Sequence, residues 1–234
     1  MRRLVLFDID GTLLSSGRVS GHAFEDALRE VFGTIGEAER YDYSGKTDRQ
    51  IVRDLMRGAG FADREIDARM DAAMERYSAL LRERLKPDHV QAKPGVVALV
   101  GALAEDPRVT LGLLTGNLEP NARMKLEPIG VNPHFPFGAF GSDHEDRRRL
   151  PAVAVARALD AVGVRFAGKS VVIVGDSVYD VLCGRHLGVR AVAVATGRTT
   201  VEELRQVRAD AVLPSFADKE ESLAAILGEP FSRR

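Results

Sequence analysis

The chain has 234 residues, 45% of them apolar and 29% charged, with a formal net charge of −1. That length allows one large domain or a core with a smaller insert, and the composition is ordinary for a soluble globular protein. Near-neutral charge supplies no basic field for nucleic acid, and one cysteine, Cys183, excludes an internal disulfide or a site built from several Cys ligands.

Taken in chain order, the first element is a short, continuous β-rich run at Leu4–Ile9. It is too short for a signal peptide's hydrophobic region, and no stretch approaches the ~20 apolar residues of a membrane span. The expectation is a cytoplasmic protein without a membrane partner, a monomer or a homodimer. Similar runs recur at Val109–Leu114, Val171–Val174 and Ala191–Ala195, with a weaker one at Phe137–Gly141. Unbroken apolar runs suit parallel strands buried on both faces. Helical stripes lie between them: Val97, Val100 and Leu103, then Val153, Ala156 and Leu159. Alternating strands and helices predict an α/β fold, a Rossmann-like, mostly parallel sheet with helices on both faces.

Between about Gly17 and Lys93 the pattern changes to helix alone. Phe24, Leu28 and Val31 share one stripe, and Ile51 and Leu55 begin another. Asp63 to Leu85 is a long run of good helix formers, punctuated by Pro87 and Pro94. The expected organisation is a catalytic core from residues 1–16 and 93–234, carrying a helical subdomain at 17–92.

The chemistry collects at the ends of the predicted strands, where open α/β sheets bind ligands. The first strand runs into Asp8-Ile9-Asp10-Gly11-Thr12, and a strand end that curls into a loop can turn both carboxylates to one pocket. A calcium loop is disfavoured, because Leu13, Leu14, Ser15 and Ser16 follow where oxygen ligands would be needed. Val109–Leu114 runs into Thr115-Gly116-Asn117, whose hydroxyl, amide and carboxamide make a cradle for phosphate oxygens. Val171–Val174 runs into Gly175-Asp176, and Asp180 lies four residues further on. Helix capping would explain one of these two acids, but not acidic pairs at two strand ends. Four carboxylates in one crevice would be costly without a cation, and oxygen-only ligands favour a hard ion, Mg²⁺ by default. Gly163 to Ser170 matches the spacing of a nucleotide-binding P-loop, but it follows a helix and opens a strand, the reverse of what that loop needs.

The order and spacing of these motifs resemble the haloacid dehalogenase-like hydrolase superfamily. The match spans essentially the whole chain, and the helical insert resembles that family's first type of cap. Asp10 favours the phosphatase branch. The family's usual lysine ahead of the last motif is missing here, where the chain reads Arg147-Arg148-Arg149; Arg147, with Arg149 next, is the expected replacement. The resemblance implies that Asp8 attacks phosphorus and that Asp10 is the general acid and base. It implies Mg²⁺ held by Asp8, Asp176 and the backbone carbonyl of Asp10, with Asp180 orienting a metal-bound water or a basic side chain. Thr115, Gly116, Asn117 and Arg147 would hold the phosphate, and Lys46 in the cap would select the leaving group. The implied substrate is a small phosphorylated metabolite, with phosphoglycolate-like compounds plausible. A phosphomutase using the same intermediate and a non-catalytic metal- or phosphate-binding regulator are the alternatives.

Overall fold

A computed structural model describes residues 2–230. The elements, in order, are β1 (Arg3–Phe7), β2 (Leu14–Ser15), α1 (Val19–Phe32), α2 (Asp48–Gly58), α3 (Asp63–Arg84), β3 (Gln91–Ala92), α4 (Val96–Glu105), β4 (Val109–Leu114) and α5 (Glu119–Leu126). There follow β5 (Gly138–Ala139), α6 (Leu150–Val162), β6 (Val171–Gly175), α7 (Val178–Cys183), β7 (Arg190–Val194), α8 (Val201–Gln206), β8 (Ala211–Leu213) and α9 (Lys219–Leu227).

Six strands form one sheet in the order β5-β4-β1-β6-β7-β8. Every pairing within it is parallel. The α/β reading of the sequence holds. Strand periodicity explains why β1 must be apolar throughout: Val5 and Phe7 join the core cluster that includes α4, α5 and α9, while Leu4 and Leu6 join the one beneath α6. β4 has its predicted bounds, the other predicted strands run one or two residues off theirs, and β8, only three residues long, has no counterpart among them. Contrary to the strand-free reading of residues 17–93, that interval holds β3, which pairs antiparallel with β2, Leu14 opposite Ala92 and Ser15 opposite Gln91. This ribbon sets the two ends of the helical block side by side, so the block is an insertion that leaves β1 and β4 paired. Its helices bury Phe24, Leu28, Val52, Leu55, Met70 and Tyr77 in a core of their own, joined by Leu118 at the start of α5.

Phe7 sits between Phe135 and Phe216, edge to face at centroid distances of 5.9 and 6.4 Å. Phe216 is fully buried, so Phe216→Ala should cost about 3–5 kcal/mol through lost burial and the cavity left behind. At this chain length that predicts a fall in Tm on the order of 10 °C, readable by thermal denaturation. A fall of only a degree or two would show that the core collapses around the gap.

Candidate active site

β1, β4 and β6 are neighbours in the sheet, so the three strand ends that carry the polar motifs meet at one edge. Asp8 leaves β1 with its N–H still bonded to the Val174 carbonyl at 2.9 Å, which keeps the two acidic strand ends in register. Ligand oxygens of Asp8, Asp176 and Asp180 lie within 4.8 Å of one another, and all three residues are buried. Glycines make the room. A Cβ on Gly11 would lie 2.4 Å from the Asp176 carboxylate, one on Gly197 only 1.7 Å from it, and one on Gly175 2.2 Å from the Asp180 carboxyl carbon.

Burial pushes the Asp8 carboxyl up to about 7; Arg147 opposes that shift, and Asp180 and Asp10 add to it. Asp176 is pushed up to about 8, again chiefly by burial, then by Asp180 and Asp8. A group of buried acids disposed to hold protons is one that a divalent cation would charge and hold together. The all-oxygen donor set and the glycine-lined space around it fit a hard cation. The acids differ in what they have to spare. Asp176 Oδ1 accepts from the Thr12 hydroxyl at 2.8 Å. Both oxygens of Asp180 are engaged, Oδ1 by Arg147 and Oδ2 by the Ser177 amide and hydroxyl. Asp180 is thus a helix-capping residue, as the plainer reading of the sequence had it, and also a member of the cluster. The Asp10 side chain is not a member: its Oδ2 turns away to Asn117 and Lys125. Among the side chains, Asp180 completes the cluster with Asp8 and Asp176; for Asp10 the resemblance implies the backbone carbonyl as the metal ligand.

One arginine of the three enters the site. Asp146 caps the short turn at Arg147–Arg149 by accepting from the Arg148 amide. Arg147 is buried, with Nη2 3.2 Å from Asp8 Oδ1 and paired also with Asp180. Arg148 folds back on Asp146 at the surface, and Arg149 is exposed. Arg147 Nε is buried without an acceptor among the described groups, so this cation holds a donor in reserve.

The end of β4 supplies the cradle. Thr115 is fully buried, and its hydroxyl oxygen accepts from the Asn117 carboxamide at 2.8 Å, which leaves the hydroxyl hydrogen to point elsewhere. Asn117 spends its side chain inside the protein: Nδ2 donates to Asp10 Oδ2 at 2.8 Å, and Oδ1 accepts from Lys125 Nζ at 2.6 Å. Its carboxamide therefore braces the neighbouring groups.

The helical block closes over this edge. Asp48 N–H donates to the Gly116 carbonyl at 2.9 Å, and the Asp48 carboxylate accepts from Leu118 N–H at 3.0 Å. Thr47, which caps α2, donates to the Glu145 carbonyl at 2.6 Å. A Cβ on Gly116 would lie 2.0 Å from the Lys46 carbonyl, so only glycine admits this seam. The Lys46 ammonium stays within the block, 2.7 Å from the Tyr41 hydroxyl and 3.4 Å from Asp54.

Lys125 is the site residue that the sequence reading missed. It is buried on α5 and donates to Asp10 Oδ2 at 2.8 Å. Burial opposes its charge, but Asp10, Tyr77 and Asp48 outweigh that and hold its pKa above the ordinary lysine value. A signal existed: Asn121 and Lys125, four residues apart on α5, are buried where apolar residues belong, and Asn117, four residues earlier in the loop ahead of the helix, is buried too. Lys169, at the end of the P-loop-like stretch, pairs with Asp210 ahead of β6 and takes no part in the site.

The model of the haloacid dehalogenase-like hydrolase family matches residues 5–194, and the chain belongs to that family. Several of its curated relatives are named as phosphatases. It is 28% identical over 228 residues to the "Probable phosphatase IndB" of Dickeya dadantii, covering 93% of this chain and 92% of that one. It is 27% identical over 218 residues to the phosphoglycolate phosphatase of Agrobacterium fabrum, covering 92% and 89%. The fold superposes on a hydrolase from Pseudomonas syringae with a TM-score of 0.69 at 20% identity, over 99% of this chain and 100% of the other. Among the described residues, no helix is long and apolar enough to cross a membrane.

Proposed function

We propose that the chain is a cytoplasmic, Mg²⁺-dependent phosphatase that hydrolyses a small phosphorylated metabolite through an aspartyl-phosphate on Asp8, with residues 17–92 acting as a cap. The observation that carries this reading is the Asp8 carboxylate, buried between the Arg147 cation and the acids of β6 and α7, with Asp10 fixed beside it. An Asp8 oxygen attacks phosphorus while Asp10 gives its proton to the departing ester oxygen. Asp10 then takes a proton from the water that cleaves the phosphoryl–Asp8 bond. Arg147 and Thr115 hold the non-bridging oxygens, with the Gly116 amide beside them and Asn117 bracing Thr115. Mg²⁺, held by Asp8, Asp176 and the Asp10 main chain, would offset the charges of nucleophile and phosphate. Asp180 fixes Arg147 and caps α7.

Beside the site, the seam holds a small cavity. Asp42 and Ser44 from the helical block face Ser177, Tyr179 and Arg198 from the core across a cavity of about 220 Å³. A phosphoglycolate-like substrate is the candidate, since several curated relatives are named for that activity. Lys46 would select the leaving group only once released from Tyr41 and Asp54, which hold its ammonium within the helical block. A phosphomonoester panel assayed with Mg²⁺, with chelator, and with Mg²⁺ restored tests the reading. Turnover is expected with the ion, lost on chelation and recovered on re-addition. Absence of hydrolysis on every ester would favour a binding protein, and phosphoryl transfer to a sugar hydroxyl in place of water would favour a mutase.

A further inference from the structure

We propose that Lys125 is a positioning residue for Asp10: it clamps one carboxylate oxygen so that the other faces the leaving group. The inference rests on the phosphatase reading above and deepens it.

The Lys125 side chain is 4% exposed, an unusual place for an ammonium, and a buried lysine needs a compensating anion. The anion is Asp10, whose own side chain is 41% exposed. A largely dry cation therefore backs a carboxylate that stays open to solvent. Both donors that reach Asp10, Lys125 Nζ and Asn117 Nδ2, converge on the same atom, Oδ2, each at 2.8 Å. Lys125 Nζ also holds Asn117 Oδ1 at 2.6 Å, so the ammonium fixes the carboxylate directly and through its neighbour. With Oδ2 saturated, the proton that Asp10 must carry belongs on Oδ1. That proton passes to the ester oxygen as the P–O bond breaks and the Asp8–phosphorus bond forms. In the second half, Oδ1 takes a proton from water as the water oxygen bonds to phosphorus and Asp8 is released. The clamp is also set against the cap. Asp48, in the first turn of α2, lies in the electrostatic field of Lys125 while its N–H and carboxylate bridge Gly116 and Leu118.

A positioning role of this kind has a signature that general loss of structure lacks. Leaving groups that depart as stable anions need no proton, whereas alkoxides do. Lys125→Met should slow hydrolysis of an alkyl phosphate by about 10²–10³-fold, but that of p-nitrophenyl phosphate by less than about tenfold. Inorganic phosphate should inhibit both forms equally. Lys125→Arg, which keeps a cation with several donors, should hold the alkyl-to-aryl ratio near the wild-type value. If Lys125→Met does not fold, Asn117→Ser removes the other donor to Oδ2 and should move the ratio the same way. Equal losses on both esters, or an unchanged ratio, overturn the proposal while leaving the phosphatase reading intact. A wild-type protein that hydrolyses neither ester defeats that reading, and this inference with it.

Discussion

Asp8→Asn is expected to give a folded protein without turnover, kcat falling by about 10⁴–10⁶-fold on every ester tested. The substitution keeps the shape of the side chain but turns the carboxylate proposed to attack phosphorus into a neutral, poorly nucleophilic amide. Stability should barely change. Burial and the neighbouring acids already disfavour the Asp8 charge, and a neutral amide relieves that repulsion even as it leaves Arg147 with less compensation. A direct readout is the intermediate itself. In acid-quenched single turnovers, the wild-type protein should gain the mass of one phosphoryl group, on a peptide containing residue 8, and the variant should not. A phosphorylated variant, or one with substantial activity, would place the nucleophile elsewhere.

Arg147→Ala should be the most damaging change outside the nucleophile, because it acts on chemistry and folding together. The guanidinium is buried and pairs with both Asp8 and Asp180, and its removal leaves two neighbouring buried acids without a counter-charge. Breaking a buried pair from one side typically costs about 3–5 kcal/mol. The lost electrostatic support for the transferring phosphoryl group should lower kcat/KM by about 10²–10³-fold beyond any unfolding. Arg147→Lys separates the two effects. A lysine restores the positive charge but not the planar fork, so Tm should recover more fully than kcat/KM. The same changes at Arg148 or Arg149, which lie at the surface, should leave both within about 0.5 kcal/mol and twofold of wild type. Comparable losses at all three positions would mean that the arginines act as a diffuse field.

Much of this molecule is legible in the amino-acid order alone. Four of the sheet strands announce themselves as unbroken apolar runs because the sheet is covered on both faces, and the three that carry the site each end in a polar motif. The short pieces are not legible. A two-residue strand such as β2 or β3 has no periodicity to detect, and it exists because its partner lies at the far end of the helical block. Asp180 shows another limit. Helix capping and a place in the site read as rival roles, yet the carboxylate fills both, one oxygen on Ser177 and the other on Arg147.

The sequence by itself determined the α/β class, and it displays a helical block after the first strand and acids at two strand ends, because burial periodicity and motif order are local properties of the chain. Tertiary structure decided what each polar group meets. Which arginine turns inward depends on the tight turn that Asp146 caps, and on Asp180 waiting 33 residues away. Lys125 reads as an ordinary helix residue until Asp10, 115 residues distant, is set against it. Lys46 reads as a free cation in the sequence, but Tyr41 and Asp54 hold it within the helical block. A charge acts over a few ångströms, and only the folded chain fixes which charges come that close.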